Sequence, residues 1–482
     1  MSDYRPRIHF RSLAGLMTAT ALAMGSQSTH SAETNPPPAA PQAAGAAGMP
    51  AWLSMPLSLA DALTLAEAQN ANILKAKKDL EAQHGVAVQT RAIVLPKVEM
   101  AGNYQRIEEG RIDVPDLSAI PGAANIFPIK PDRYTVGLQL VQSVYDGGRM
   151  QSSLRSARLI KEQAILDYQT VVADALLAVR VAYDDTLLAT NEIIVREASV
   201  ALLTKQLDDT RRRFEAGVVP QFNVLRAEVE LANARPPLIR SRNLYRIAKQ
   251  RLVNEMGINL PKSVMEDVPL QLSGKLEKEP YPVELSNALA QALGERTELG
   301  SLRKAEALRR EGVKTAKAGY LPTVEVFGGY GLDSRQFDDD FSAEVHGWQA
   351  GARANWPLFD GLLTQGKVKQ AKALQERALV DLDDVTRRIE LEVRTAYSTF
   401  IEAKEVLESQ EKVTEQAVEA LRLANSRYEA GTGTQLDVLS AQTALTDART
   451  TYVRALREYS VARSRLERAI GASIKVERKP EP

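Results

Sequence analysis

The chain has 482 residues, 61 basic and 61 acidic side chains for zero formal net charge, 44% hydrophobic residues and no cysteine. Without cysteine there is no disulfide framework, no thiolate metal site, no cysteine nucleophile and no lipidated N-terminal cysteine; a neutral chain also has no bulk electrostatic reason to bind nucleic acid. Aromatics are sparse at 5%, while Ala, Leu, Glu, Arg, Lys and Gln dominate, which is the composition of long helices, and four histidines make a thin inventory for an enzyme.

Arg5, Arg7 and Arg11 precede an apolar stretch from Leu13 to Met24, followed by small residues up to Ala32. That layout predicts a secretory signal peptide over residues 1–32, with cleavage near Gly25 or near Ala32. Residues 33–56 read as a Pro/Ala/Gly linker that cannot bury a core. No later window holds the roughly 18 uninterrupted apolar residues of a membrane helix. The mature chain is therefore either soluble outside the cytoplasm or crosses a membrane as a β-barrel, because only helices and closed barrels satisfy the backbone in lipid.

A first repeat is expected over residues 57–257. It opens with a helical stretch that runs to Leu95-Pro96, where proline stops the helix. The apolar period then changes to two: Val98, Met100 and Tyr104 alternate with Glu99, Asn103 and Gln105, and Tyr134, Val136, Leu138 and Leu140 alternate with Thr135, Gly137 and Gln139. Runs of about ten residues with one apolar and one polar face fit transmembrane barrel strands; a soluble hairpin covering the end of a helix bundle has the same alternation. From Arg149 to Phe214 a heptad seam passes through Ile165, Tyr168, Val172, Ala175, Val179, Ala182, Thr186, Ala189, Ile193, Arg196, Val200, Leu203, Leu207, Thr210 and Phe214. Such a helix is roughly 100 Å long. Gly217 to Pro220 break it, and a returning helix of about half that length ends at Met256-Gly257.

A connector over residues 258–282 leads to a second repeat over 283–471, followed by a C-terminal tail, 472–482. Val144-Tyr145-Asp146-Gly147 recurs as Leu358-Phe359-Asp360-Gly361, Phe214-Glu215-Ala216-Gly217 as Tyr428-Glu429-Ala430-Gly431, and Met256-Gly257 as Ile470-Gly471, all at an offset of 214. Leu95-Pro96 recurs as Leu321-Pro322 at 226, so the first repeat has the longer loop between its strands. The heptad seam also recurs, through Leu379, Leu382, Thr386, Ile389, Val393, Ala396, Phe400, Ala403, Leu407, Gln410, Thr414, Ala417, Leu421, Ala424 and Tyr428. Two strands per repeat give four per chain, too few to close a barrel in lipid, so a spanning chain must oligomerise; three copies would give twelve strands and begin to leave an opening.

From about Leu57 to Gly471 the chain resembles the TolC-like outer-membrane efflux proteins in its tandem repeats, Leu-Pro helix-to-strand junctions, Tyr/Phe-Asp-Gly strand-to-helix junctions and Phe/Tyr-Glu-Ala-Gly hairpins. The resemblance implies a mainly α fold with a small β part: a long helical coiled-coil barrel plus four transmembrane strands per chain, closing as a 12-stranded barrel in a homotrimer. It implies a channel in the outer membrane, among its lipid, with its helices in the periplasm. Its partners would be a periplasmic adaptor protein and an inner-membrane pump or ABC exporter, and it would have neither enzymatic activity nor cofactor. The two turns, Gly217-Val218-Val219-Pro220 and Gly431-Thr432-Gly433-Thr434, match the adaptor-docking tips, and Tyr428, Asp437 and Asn223 match the periplasmic gate.

Asp437 matches an acidic ring that would favour cations at the narrowest point; a carboxylate early in a helix is also favoured by the helix dipole. Ser440 stands where the family's second acidic ring would be, Gly433 where a gate-locking arginine would be, and Asn223 where its acidic partner would be. A gate held by packing and neutral hydrogen bonds is therefore expected. The competing readings are a periplasmic adaptor, which would have one hairpin rather than two, and an extracytoplasmic structural coiled coil. No Ser/His/Asp set, phosphate loop or metal cluster is visible, and the many carboxylates read as solvated helix faces. Drug, metal and protein cargo all stay open.

Overall fold

A computed structural model describes residues 56–106, 108, 132–260, 267–334 and 345–472. The expected signal peptide, nearly all of the linker and the tail beyond residue 472 lie outside the described residues. The helices are α1 (Leu59–Gln69), α2 (Ala71–Ala92), α3 (Arg149–Glu215), α4 (Gln221–Glu255), α5 (Leu285–Glu295), α6 (Thr297–Lys317), α7 (Leu363–Glu429) and α8 (Gln435–Ala469); the strands are β1 (Lys97–Arg106), β2 (Asp132–Asp146), β3 (Thr323–Ser334) and β4 (Val345–Asn355). Among the described residues no helix is long and apolar enough to cross a membrane.

The strands form one antiparallel sheet in the order β1-β2-β3-β4. Its register sorts the two faces. Met100, Leu138, Tyr330 and Trp348 line up across all four strands on one face, while Glu99, Gln139, Gly329 and Gln349 line up on the other. The apolar row is exposed, with Met100 77% and Trp348 80% accessible. Strand becomes helix through the repeated Asp-Gly junctions: Asp146 Oδ1 accepts from the Met150 amide at 3.0 Å, and Asp360 Oδ2 from the Thr364 amide at 2.8 Å. Each aspartate thus satisfies one of the orphan donors of a 67-residue helix.

Toward the strands the helices pack side by side in the order α2-α3-α6-α7; toward the far end the order is α4-α3-α8-α7. The hairpin α3/α4 is hairpin one and α7/α8 hairpin two. The predicted seam is buried in the middle of α3, from Ala175 to Ala189 and again from Leu203 to Thr210, with Ile193, Arg196 and Val200 half-buried between; Ile165 and Phe214 are exposed, and Ala157 and Ala164 are buried instead. Two causes act together. Toward the strands α3 changes partner from α4 to α2 and α6, and a 3.5-residue repeat drifts about 20° per heptad on a 3.6-residue helix. In α7 the seam is buried at Ile389, Val393, Phe400, Ala403 and Leu407, half-buried at its other positions, and exposed at Leu379.

The return helices stop half way and abut the short helices end to end. Gly257 (φ +76°) and Gly471 (φ +78°) close α4 and α8 against the residues that cap α2 and α6. Asn70 makes the first joint: its Oδ1 accepts from the Asn72 and Ile73 amides, and its Nδ2 donates to the Glu255 carbonyl at 2.5 Å. Arg296 makes the second, donating to Glu298, to both oxygens of Glu392 and to the carbonyls of Arg468 and Ala469. One departure from the repeat is a Pro236-Pro237 pair inside α4, where α8 has Thr450-Thr451. The prolines remove two amide donors, leaving the carbonyls of Ala232 and Asn233 without their helical partners.

A strap over residues 267–284 makes contacts to α4, α3, α8 and α7. Lys249 of α4, buried, pairs with Asp267 and donates to the Val268 carbonyl at 2.7 Å. Tyr183 of α3 accepts from the Gly274 amide at 3.1 Å and donates to the Leu57 carbonyl at 3.0 Å. Tyr459 of α8 donates to the Glu279 carbonyl at 2.5 Å, and Lys278 reaches Glu408 and Glu411 of α7 at 3.4 and 3.7 Å.

Candidate functional site

The far ends of the hairpins are two reverse turns. In the first, Gly217 takes φ +74°; its amide donates to the Phe214 carbonyl and the Val218 amide to the Arg213 carbonyl, each at 2.8 Å. This pair of bonds is the Schellman closure, which needs a left-handed residue that glycine supplies without strain. In the second turn Gly431 (φ +72°) and Thr432 repeat the closure, donating to Tyr428 and Arg427 at 3.1 and 2.9 Å. Gly433 is packed differently: a Cβ there would sit 3.1 Å from both Arg427 Cβ and the Tyr428 amide nitrogen. Gly217, Val218, Pro220, Gly431, Thr432 and Thr434 are exposed; Val219 and Gly433 are half-buried.

The helices that leave the turns start differently. α4 begins after Pro220 with no side-chain cap, whereas α8 has a capping box. The amide and hydroxyl of Thr434 donate to Asp437 Oδ2 at 2.9 and 2.8 Å, and the Asp437 amide donates back to Thr434 Oγ1 at 3.2 Å. The Thr434 amide and then its hydroxyl hold the exposed Asp437 carboxyl below the ordinary carboxylate range. Asp437 therefore caps a helix and remains an anion at the tip.

Hairpin one and hairpin two meet just above the turns. The Arg213 guanidinium lies over the Tyr428 ring, 4.7 Å from its centroid. Gln435, the first residue of α8, donates from Nε2 to Thr210 Oγ1 at 3.1 Å and to the Asn223 carbonyl at 3.3 Å. One turn higher Leu439 packs into the cluster of Leu203, Leu207, Val224 and Ala227, and higher still Thr446 donates to Ser199 at 3.2 Å. Tyr428 and Asn223 are thus brought into one contact region, Asn223 through its backbone. Asp437 faces away from that region into solvent. Arg213 was not singled out from the sequence; Thr210 stood there only as a seam position, and Gln435 and Leu439 only as members of a repeated pattern, none of them as a gate residue. The Gln-x-x-Val-Leu pattern is duplicated, but its first copy, Gln221, is exposed and its second, Gln435, is buried.

Farther from the tips the contact between α3 and α8 becomes ionic. Arg454 pairs with Glu192 at 2.7 Å, Arg457 with Asp185 at 2.6 Å, Arg180 with Glu467 at 2.9 Å and Arg468 with Asp174 at 2.7 Å. These carboxylates are not on free solvated faces, as their sequence surroundings suggested; they join the two repeats. Among them Asp184 is buried and accepts from Ser460 Oγ at 2.7 Å. Burial raises its pKa from 3.8 to about 6, against the lowering pull of Ser460, Arg180 and Arg457.

Below pH about 4 Asp184 is protonated in both folded and unfolded chains and its burial carries no ionic cost. Between about 4 and 6 the unfolded chain gives up the proton first, so stability falls as pH rises and levels off above about 6. At 1.4 kcal/mol per pH unit the cost at neutral pH is about 3 kcal/mol. Asp184→Asn is expected to recover most of this at pH 7.5 and nothing at pH 4, measured as denaturation midpoints at the two pH values. An Asn variant no more stable than the parent at pH 7.5 would contradict the assignment.

Among the described residues no group of His, Asp and Glu side chains has the arrangement of a metal site. The sequence signature of the family described as outer membrane efflux protein matches residues 62–257 and 288–472. The chain is 24% identical over 419 residues to the outer membrane protein TolC of Vibrio cholerae, covering 86% of this chain and 90% of that one. It is 25% identical over 339 residues to the alkaline protease secretion protein AprF of Pseudomonas aeruginosa, covering 70% and 69%. In fold it matches the crystal structure of the outer membrane protein VceC of Vibrio cholerae with a TM-score of 0.70 at 18% identity, covering 86% of this chain and 96% of that one.

Proposed function

We propose, from the premise that this chain belongs to the outer membrane efflux protein family, that three copies form an exit duct whose helical tips dock a periplasmic adaptor. The chain is an outer-membrane channel component and not an enzyme, with its helices extending into the periplasm. Channels of this family are homotrimers that work with adaptor proteins and inner-membrane pumps. The observation that carries the reading here is that one chain is unfinished at both edges and at both levels. Among the described residues β1 and β4 each keep one unpaired side, and neither α2 nor α4 packs along α7.

The open edges fit one another. α4 exposes Phe222, Leu225 and Val229, at steps of three and four residues, and Ile239 farther along, and α7 exposes Leu391 and Leu423 on the side away from its own seam. A long helix with a second unpartnered apolar stripe needs a second partner, and an edge strand left bare in a membrane is not tolerated. The exposed row of Met100, Leu138, Tyr330 and Trp348 would face lipid and the row of Glu99, Gln139 and Gln349 the lumen. Residues 57–257 and 283–471 act as the two repeats, joined by 258–282, after removal of residues 1–32.

Because the chain lacks cysteine, introduced thiols give an unambiguous test. Val229 and Leu423 lie about two turns above the tips on opposite edges. A Val229→Cys, Leu423→Cys chain is expected to crosslink into covalent trimers on oxidation, whereas either single variant stays monomeric on a denaturing gel. Failure of the double variant to crosslink, with its fold intact, would sink the closure. The gate assigned to Tyr428, Asn223 and Asp437 gives a second expectation. In bilayer recordings Asp437→Ala should lower cation preference and leave assembly intact; unchanged selectivity would remove Asp437 from the ring. Cargo is left to the inner-membrane partner, and a relative named for protease secretion keeps protein export among the candidates.

A further inference from the structure

Among the described residues the three buried side-chain polar atoms without a hydrogen-bond partner are Tyr428 Oη, Gln435 Oε1 and Gln442 Nε2. All three belong to the last turn of α7 or the first turns of α8. Tyr428 is held under Arg213, and Gln435 is bonded to Thr210 and Asn223. Gln442 lies between Leu439 and Thr446 on the helical face that meets Leu203, Leu207 and Ser199 of α3. The unmet atoms are therefore concentrated where hairpin two leans on hairpin one near the tips. Farther up, the same contact is made of paired charges. A buried polar atom with no partner costs its closed arrangement about a factor of ten against one in which water reaches it.

We propose that Tyr428, Gln435 and Gln442 hold the closed contact between the hairpins near balance, so that a modest push at the tips separates them. Separation gives up the Arg213–Tyr428 stack and the two Gln435 bonds, and hydration of the three unmet atoms offsets that loss. The ionic part of the contact, from Glu192 and Arg454 toward the strap, stays joined and confines the motion to the tip side. The proposal rests on the reading of the tips as the gate. Its consequence runs against the usual effect of mutating a gate: removing the right polar atoms tightens the closure. Tyr428→Phe keeps the ring beneath Arg213 and deletes only the unmet hydroxyl. Gln442→Leu exchanges an unmet amide for an apolar group of similar size.

Single-channel recordings of the reconstituted full chain separate the possibilities. Arg213→Ala is expected to raise the open fraction several-fold. Tyr428→Phe and Gln442→Leu are each expected to lower the ratio of open to closed about tenfold, and to raise the unfolding midpoint, a readout independent of conduction. If Arg213→Ala opens the channel but Tyr428→Phe and Gln442→Leu leave the ratio unchanged or raise it, the balance proposal is overturned and the gate stands. If none of the three changes conduction, the gate reading itself fails.

Discussion

Gly257→Ala is expected to be among the most damaging single-methyl changes in the chain, destabilising it by more than about 3 kcal/mol. Gly257 lies at φ +76°, where a side chain already costs about 1–2 kcal/mol. The added Cβ would also overlap the Gln69 carbonyl oxygen and come within 2.6 Å of Asn70 Cα. Both obstacles are backbone, held in place by the α1-to-α2 junction and by the Asn70 bond to Glu255, so neither yields by rotating a side chain. Gly471→Ala is the internal control. It shares the left-handed backbone, φ +78°, but its Cβ would stop 3.1 Å from the Arg296 amide nitrogen and the Glu295 carbonyl carbon. Its cost is expected to be only about 1–2 kcal/mol. Circular dichroism of thermal unfolding would rank the two variants; equal losses would mean that backbone strain alone, not the tighter first joint, sets the effect.

Arg296→Ala is expected to cost about 3 kcal/mol and to loosen the second repeat at its joint. The guanidinium is 6% exposed and spreads its donors over four partners on three helices. Two bonds, at 3.0 and 2.9 Å, form a fork on Glu392 of α7, and one goes to Glu298 of α6 at 3.0 Å. The remaining contacts satisfy the Arg468 and Ala469 carbonyls, which α8 leaves open at its C-terminus. Removing the arginine strands those carbonyls and leaves Glu298 with Arg468 alone. Arg296→Lys should recover little, because a single ammonium cannot reproduce the planar fork. Hydrogen exchange at the α6 and α8 amides is the measurement; near-complete rescue by lysine would show that charge, not geometry, matters there.

Much of the architecture was legible because the chain states it twice. The fixed offset between Phe214-Glu215-Ala216-Gly217 and Tyr428-Glu429-Ala430-Gly431 marked both tips, and the heptads marked the long helices. The strand alternation gave the apolar row through Met100 and Leu138, although the pairing of β2 with β3, which joins the repeats, needed three dimensions. The contact between the hairpins was not legible. Nothing in the sequence around Asp174, Asp185 and Glu192 names a partner for them, and only the lateral approach of α8 brings Arg468, Arg457 and Arg454 onto them. Arg213 likewise reads as one of three consecutive arginines until Tyr428 arrives beneath it. Contacts within a helix leave a period in the sequence; contacts between non-consecutive helices at one chosen height do not.

The two hairpins start from one ancestral pattern but no longer behave as copies. Hairpin two has the Thr434–Asp437 box where hairpin one has an uncapped Pro220, and hairpin one carries Pro236-Pro237 where hairpin two continues with threonines. In a closed ring of three chains the six tips would therefore alternate between two kinds, and the ring would have threefold rather than sixfold symmetry. Any partner protein that follows the ring all the way round would have to present two different faces in alternation, or bind at three places and bridge the gaps. A substitution would then be repeated at three equivalent places on the rim, never six, so one set of tips can change while the other stays as it was.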